Sequence, residues 1–214
     1  MQVVDLTLPF ADGRQGVAYQ PELSLPQDGF NTTTLHIYSH ALTHMDARKH
    51  FIEGGEGIEA ISLERCMGPA HVIDLTHKHT NSLITVADFE AHADTVTSGV
   101  RLLLHTDWST HADADDYRTQ FPRISARLAA WFVERGVWLV GVETPSVASL
   151  APENRAELTE VHQTLLGANV IIVEGLCNLN LLPPEVEFIA LPLHLPGCDG
   201  SPVRAVARFT ESEG

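Results

Sequence analysis

Four short apolar runs, separated by segments with helical periodicity, constrain the fold of this chain more than any other feature. Runs of this length and composition are typical of strands that are buried on both faces. They lie at residues 70–75, 101–105, 137–142 and 170–173, and two later strand candidates lie at 188–193 and 203–209. Helices are predicted from Ser125, with Gly136 as a C-terminal cap, and over residues 158–166. The alternation predicts an α/β fold, and the late strands predict a mixed sheet.

The first hundred residues give weaker signals. Residues 2–7 and 32–38 are rich in β-branched residues and predict two strands. Residues 11–30 are rich in Gly, Pro and Gln and predict a loop. Thr85 followed by Asp88 resembles a capping box, which predicts a helix from there to about residue 94.

A dense group of histidines follows the strand candidate at 32–38. The segment Y-S-H-A-L-T-H-M-D-A-R-K-H-F contains His40, His44, Asp46 and His50. Imidazole and carboxylate together suit Zn²⁺ or a similar divalent ion. Neither regular structure brings all four together: a helix would turn Asp46 away from His40 and His44, and a strand would place His50 about 33 Å from His40. If the four converge, the segment must be an irregular turn, and chance pairing among 12 histidines is the alternative.

Polar groups at three strand ends are further candidates, because active sites of α/β folds lie there. These groups are His105, Asp107 and His111 after one strand, Glu143 and Thr144 after another, and Glu174 after a third. His162 lies on the helix that precedes Glu174, and a helix packed along that strand could bring the two together. By spacing alone, a hydrogen-bonded core histidine is the simpler interpretation. The chain has no nucleophile elbow, Walker loop or G-x-G-x-x-G motif.

Composition limits the class of protein. A length of 214 residues suits one domain that spans residues 1–214. The net charge of −15 argues against a nucleic-acid partner and against attraction to anionic membranes. No apolar run is long enough to span a bilayer, and the N-terminus has no signal-peptide pattern. Three widely spaced cysteines without a C-x-x-C motif favour a reduced compartment, so a cytoplasmic location is expected.

Several motifs together resemble one family. The segment from His40 to His50 reads H-A-L-T-H-M-D-A-R-K-H, close to the signature H-x-G-T-H-x-D-x-P-x-H of the cyclase family of metal-dependent hydrolases, which includes bacterial kynurenine formamidase and isatin hydrolase. The likeness begins with V-D-L-T near the start of the chain. After His50 it continues in order through H-T-D-W-S, G-V-E-T-P-S-V, H-Q-T-L-L-G, V-E-G-L-C-N-L and G-C-D-G-S-P-V-R-A. It therefore covers nearly the whole chain.

The resemblance implies a fold and a set of roles. The fold is the swivelling β/β/α type, in a homodimer or homotetramer. His40, His44 and Asp46 match the first metal-binding group, and His162 and Glu174 match the group that completes a second metal with Asp46 bridging. His50 matches the proton-transferring histidine. One or two Zn²⁺ ions are implied, with Mn²⁺ as the alternative.

Three positions depart from the family pattern. Leu42 replaces the motif glycine, Arg48 replaces the motif proline, and Ala148 stands where an aspartate is usual. Arg48 is predicted either to bind a substrate carboxylate with two hydrogen bonds or to form a structural salt bridge. The metal ligands are retained, so the departures bear on the identity of the substrate.

The expected activity is hydrolysis of a non-peptide carbon–nitrogen bond in a small molecule, such as an aryl formamide or a cyclic amide. Metal-activated water would attack the carbonyl carbon, and His50 would transfer the proton to the leaving nitrogen. A lactone or isatin-type ring is the alternative substrate for the same machinery. A relative that binds metal or ligand without catalysis is the alternative from another class.

Overall fold

The computed structural model describes residues 1–210, and its centre is a mixed sheet that closes on itself. The strands are β1 (Gln2–Asp5), β2 (Val17–Leu23), β3 (Thr32–Ile37), β4 (His44–Asp46), β5 (Met67–Asp74), β6 (Leu83–Ile84), β7 (Arg101–His105), β8 (Arg123–Ile124), β9 (Leu139–Val142), β10 (Ile171–Glu174), β11 (Glu185–Pro192) and β12 (Gly200–Phe209). Around the closed sheet the order is β12, β11, β5, β7, β9, β10 and β4, which pairs again with β12, while β1 extends the sheet beside β12. Strands β5, β7, β9 and β10 are parallel to one another, whereas β11 pairs antiparallel with β5 and β4 pairs antiparallel with β10. The predicted α/β fold with a mixed sheet is confirmed.

Helices cover one side of the parallel strands. The α-helices are α1 (Leu25–Asp28), α2 (Leu63–Cys66), α3 (Ala126–Glu134) and α4 (Arg155–Gly167). Short 3₁₀ segments lie at Arg48–His50, Ile58–Ala60, Val86–His92, Trp108–His111, Pro152–Asn154 and Leu179–Leu181. No helix in the described part of the chain is long and apolar enough to cross a bilayer.

Alternation along the parallel strands produces two hydrophobic cores. Successive side chains of a strand point to opposite faces. On β7, Leu102 and Leu104 pack with α3 and α4 in one core, and Leu103 packs inside the closed sheet in the other. Both faces are therefore covered, which explains why β7 is an uninterrupted apolar run in the sequence.

The predicted signals for α3 are realised. The Ser125 hydroxyl caps the helix by accepting a hydrogen bond from the Leu128 backbone nitrogen at 3.2 Å. Leu128 and Phe132 are buried against the sheet, and Gly136 follows the helix as expected. The capping box at Thr85 also forms, with both hydrogen bonds present, but the segment that it opens is a 3₁₀ helix and not an α-helix.

The sequence predicted a loop over residues 11–30, and this prediction is wrong for part of the segment. These residues contain β2, which pairs antiparallel with β3 to form a hairpin. We call this hairpin, residues 17–37, the arm. Most of its residues are exposed on both faces. A strand without a buried face shows no alternation of apolar and polar residues, so the sequence carried no signal for β2.

Candidate active site

Strand β4 brings three of the predicted residues to one place. It lies between β10 and β12, with His44 opposite Glu174 and Asp46 opposite Gly200. Its three residues are fully buried. A histidine and a carboxylate that are 130 residues apart in sequence thus become cross-strand neighbours.

The turn before β4 is fastened to β10 by a buried threonine. The Thr43 hydroxyl donates to the carbonyl oxygen of Gly175 at 2.5 Å and accepts from the Leu8 backbone nitrogen at 2.8 Å. Gly175 has a φ of 67°, and a Cβ there would collide with the carbonyl oxygen of Leu42. The close approach of the two backbones therefore requires glycine at this position.

Five side chains form what we call the histidine–carboxylate cluster: His40, His44, Asp46, His162 and Glu174. His40 Nδ1 lies 2.9 Å from Asp46 Oδ1, and His44 Nε2 lies 3.5 Å from the same oxygen and 3.3 Å from Glu174 Oε2. His162 Nε2, on α4, lies 3.5 Å from Glu174 Oε1 and 3.8 Å from Asp46 Oδ2. Every predicted ligand therefore lies in one cluster.

Possible ligand atoms in this region form two overlapping sets. One set contains His40, Asp46 and His50, and the other contains His44, Asp46 and Glu174. Within each set the ligand atoms lie within 4.8 Å of one another. Asp46 belongs to both sets, which is the arrangement that a carboxylate bridging two ions would need.

The hydrogen-bond pattern suits a metal ion. His44 Nδ1 donates to the Leu42 carbonyl oxygen at 2.9 Å, and His162 Nδ1 donates to the Leu158 carbonyl oxygen at 2.7 Å. Such bonds fix the tautomer and direct the lone pair of Nε2 into the cluster. His40 Nε2, His44 Nε2 and Asp46 Oδ2 are buried and have no hydrogen-bond partner among the described residues. Because unpartnered buried polar atoms are costly, cations bound in the cluster would offset that cost.

The two carboxylates control the charge of the cluster. Burial alone lowers the pKa of His44, but the carboxylates of Asp46 and Glu174 beside its ring outweigh burial and raise this pKa to about 10. The pKa of His162 is also raised, because Glu174 outweighs the effect of burial. Burial raises the pKa of Asp46, but the histidines around it hold this pKa well below its usual value. Without a metal ion, protons on the histidines balance the buried carboxylates.

His50 differs from the cluster histidines. Its ring is stacked on His40, with the centroids 3.9 Å apart. Burial lowers the pKa of His50, and the neighbouring His40 and His162 lower it further against the attraction of Asp46. A neutral imidazole next to the cluster can accept a proton at neutral pH.

A cavity of about 640 Å³ opens beside these groups, and we call it the histidine cavity. His40, His44, His50, His162 and Glu174 line it on one side. Apolar walls come from Phe51, whose ring stacks on His162 with centroids 4.3 Å apart, and from Leu150 and Leu158. A volume in this range suits a small organic molecule.

Arg48 lies apart from the histidine cavity. Its guanidinium is 3.2 Å from Glu56 Oε2, and it lines a second cavity of about 490 Å³ together with Asp46 and Arg65. Among the other strand-end candidates, His105 Nε2 lies 2.9 Å from Asp107 Oδ1 and His111 Nδ1 lies 3.2 Å from Asp116 Oδ1. Glu143 accepts hydrogen bonds from the Thr106 backbone nitrogen at 2.7 Å and the Ser109 hydroxyl at 2.8 Å.

The sequence interpretation missed three residues that shape the site. Thr43 fastens the turn, Phe51 packs on His162, and Asp199 Oδ2 lies 3.4 Å from His40 Nε2. Thr43 and Asp199 lie in motifs that the sequence comparison had already matched, T-H-M-D and G-C-D-G-S-P. Phe51 directly follows His50, but an isolated aromatic residue carries no functional signal.

Comparisons with known proteins extend over nearly the whole chain. A family model described as "Putative cyclase" matches residues 4–149. A kynurenine formamidase of Bacillus mycoides (strain KBAB4) is 31% identical over 214 residues, which is 97% of each chain. A solved structure described as a potential metal-dependent hydrolase with cyclase activity is 27% identical, with a TM-score of 0.79, and the match covers 98% of this chain and 99% of the other. The solved structure of isatin hydrolase A from Ralstonia solanacearum is 26% identical, with a TM-score of 0.80. This match covers 96% of the present chain and 91% of the isatin hydrolase chain.

Leu42 allows a test of the strain in the turn. It has a φ of 50°, in the left-handed region that costs an L-residue about 1–2 kcal/mol, and its side chain packs on a small core near Leu8 and Trp108. Leu42→Gly and Leu42→Ala both remove this packing, but only glycine relieves the backbone. We expect Leu42→Gly to be more stable than Leu42→Ala by about 1 kcal/mol in urea denaturation. Equal stability of the two variants would show that the turn is unstrained.

The raised pKa values predict proton release when metal binds. A metal ion binds neutral imidazole, so at pH 7 His44 must lose the proton that it carries in the metal-free protein. Calorimetric titration of Zn²⁺ in two buffers of different ionisation enthalpy should show release of about one proton or more per chain. The apparent affinity should rise with pH. Release should be smaller in His44→Gln, and binding without proton release would contradict the assignment.

Proposed function

The chain belongs to the cyclase family, as its motifs predicted, and on this basis we propose that it hydrolyses an aryl formamide of the N-formylkynurenine type. The observation that carries the proposal is the buried histidine–carboxylate cluster, which opens into a cavity with apolar walls. The sequence identity of 31% to a kynurenine formamidase, over almost the full length of both chains, supports this substrate class. The similarity to an isatin hydrolase supports a cyclic amide as the second candidate.

We propose that the cluster binds one or two Zn²⁺ ions, with Mn²⁺ as the alternative. The residues that would hold the ions are His40, His44, Asp46, His162 and Glu174, and Asp46 belongs to both candidate ligand sets. Three imidazoles with two carboxylates and no cysteine suit either ion, and the imidazoles favour zinc. When bound, the ion supplies Lewis acidity toward a carbonyl oxygen and a water molecule of lowered pKa.

The side chains of the protein would transfer the proton, bind the aryl ring and keep the site negatively charged. His50, neutral at pH 7, accepts the proton of the attacking water at its imidazole nitrogen and returns it to the leaving nitrogen of the amide. Phe51, Leu150 and Leu158 hold the aryl ring and exclude bulk water from the cavity. Asp46 and Glu174 keep their negative charge at neutral pH, because the histidines around them lower their pKa values.

We propose two alternative roles for Arg48, which either binds a substrate carboxylate or forms a structural salt bridge. In the structure its guanidinium pairs with Glu56, which supports the structural salt bridge. An anionic substrate would have to compete with Glu56 for it.

We propose that the protein works in the cytoplasm as a homodimer, with a homotetramer as the alternative, and binds neither nucleic acid nor membrane. The cysteines Cys66, Cys177 and Cys198 are free, which suits a reduced compartment. The charge of −15 disfavours polyanionic partners. The arm supports self-association, because its cross-strand pair Tyr19 and Leu35 is 40% and 54% exposed. Apolar side chains projecting on an exposed hairpin are typical of an intersubunit contact.

Activity measurements test the proposed function. Protein stripped of metal by a chelator should be inactive toward N-formylkynurenine, and Zn²⁺ or Mn²⁺ should restore hydrolysis. His50→Gln should lower kcat by about 10²- to 10⁴-fold while keeping its metal content, because it removes the proton transfer. Loss of metal in this variant would make His50 a ligand. Metal-loaded protein that hydrolyses neither N-formylkynurenine nor isatin would contradict the proposal.

Light scattering after size-exclusion chromatography tests self-association. The wild type should have at least twice the mass of one chain. Leu35→Glu should dissociate it, because a charge would be buried in the contact. Thr34→Glu adds the same charge to the opposite face of β3 and serves as the control. A monomeric wild type would contradict the proposed assembly.

A further inference from the structure

Two arginines have no partner among residues 1–210, the part of the chain that the structure describes. All 13 lysine and arginine residues lie within the described residues. Eleven of them donate to a carboxylate or a backbone carbonyl, as Arg123 does to Glu157 and Arg65 to the Asn169 carbonyl oxygen. Arg118 and Arg155 make no hydrogen bond, ion pair or ring contact with any described residue. Both side chains are exposed, so their guanidinium groups are available to an anion from outside the chain.

Both unpartnered arginines line the histidine cavity. The other charged residues in its lining, besides the histidines, are Lys49, Glu53 and Glu174. The Lys49 ammonium donates to the carbonyl oxygen of Gly197 at 2.7 Å, so it is already engaged. The unpartnered positive charge of the described residues is therefore concentrated at the cavity that contains the cluster.

Helix α4 sets the distance between Arg155 and the cluster. Arg155 and His162 are seven residues apart, so they lie on the same face and about 10.5 Å apart along the axis. Leu158 and Thr159 lie between them and also line the cavity. This spacing fits a substrate whose reacting amide and anionic group are separated by an aromatic ring and a short chain.

Arg155 occupies a position that stability does not favour. It is the first residue of α4, where the helix dipole disfavours a positive charge by about 0.3–1 kcal/mol. Arg118 follows Tyr117, whose hydroxyl donates to the Glu143 carbonyl oxygen at 3.0 Å and whose own carbonyl oxygen accepts from the Trp108 indole at 3.0 Å. The backbone that carries Arg118 is thus anchored, while its side chain is exposed and free to bind.

We propose that Arg118 and Arg155 form an anion subsite at the mouth of the histidine cavity and bind the carboxylate of the substrate. The inference rests on the proposed function and narrows its substrate class to acidic aryl formamides. A guanidinium binds a carboxylate with two parallel hydrogen bonds, and two of them also offset the repulsion that a chain of charge −15 exerts on an anion.

A matched pair of substrates tests the subsite. N-formylkynurenine carries a carboxylate, and its carboxamide has the same shape without the negative charge. In the double variant Arg118→Gln/Arg155→Gln, the KM for the acid should rise about tenfold or more with kcat within about twofold, because only binding energy is lost. The carboxamide should be hydrolysed as by the wild type. Arg127→Gln, which removes an exposed arginine paired with Glu134, should leave both substrates unaffected.

Several results would overturn the subsite. These are an equal effect of the double variant on acid and carboxamide, no effect on either, or a rise in the KM of the acid confined to Arg48→Ala. Thermal denaturation should show that Arg155→Gln is at least as stable as the wild type. A clear loss of stability would indicate a structural role.

Binding measurements separate failure of the subsite from failure of the proposed function. If the metal-loaded wild type hydrolyses neither substrate, calorimetry with kynurenine and kynurenine carboxamide still tests the arginines. Tighter binding of the acid that disappears in the double variant would support the subsite and reject only the activity. Equal binding of acid and carboxamide by the wild type would overturn the subsite.

Discussion

The pairing of β4 with both β10 and β12 is the constraint on which the rest of the structure depends. This three-residue strand closes the sheet and carries His44 and Asp46 to the strand that ends in Glu174. Two buried carboxylates would be costly alone, and the histidines offset them at the expense of holding protons. The residues that close the sheet therefore also form a site of concentrated negative charge that favours binding of a cation.

The arrangement separates two kinds of histidine. In the histidine–carboxylate cluster, His44 and His162 have pKa values that the neighbouring carboxylates raise against the effect of burial. No hydrogen bond joins His50 to Asp46 or Glu174, and burial lowers the pKa of His50. One short segment thus supplies both candidate metal ligands and a histidine whose pKa is lowered, and the histidine cavity lies next to both.

Much of this could be predicted from the sequence, and the exceptions have physical reasons. Strand β7 is covered on both faces, so its sequence is a continuous apolar run that predicts a strand. Strand β2 has no buried face, so its sequence has no apolar pattern from which a strand could be predicted. The density of ligand-type residues favoured the convergence of His40, His44 and Asp46, and the family resemblance implied that His162 and Glu174 join them. The neighbour that each histidine faces depends on long-range strand pairing. Arg118 and Arg155 carry no motif, and only a count of partners in the fold distinguishes them from other surface arginines.

We propose above that the histidine–carboxylate cluster is a metal centre, and X-ray diffraction at the zinc absorption edge from crystals of zinc-loaded protein tests this most directly. We expect an anomalous peak among Asp46, His44 and Glu174, with imidazole nitrogen and carboxylate oxygen as the ligands from the protein. Ordered crystals of loaded protein with no peak there, or with zinc held elsewhere by cysteine sulfur, would contradict it.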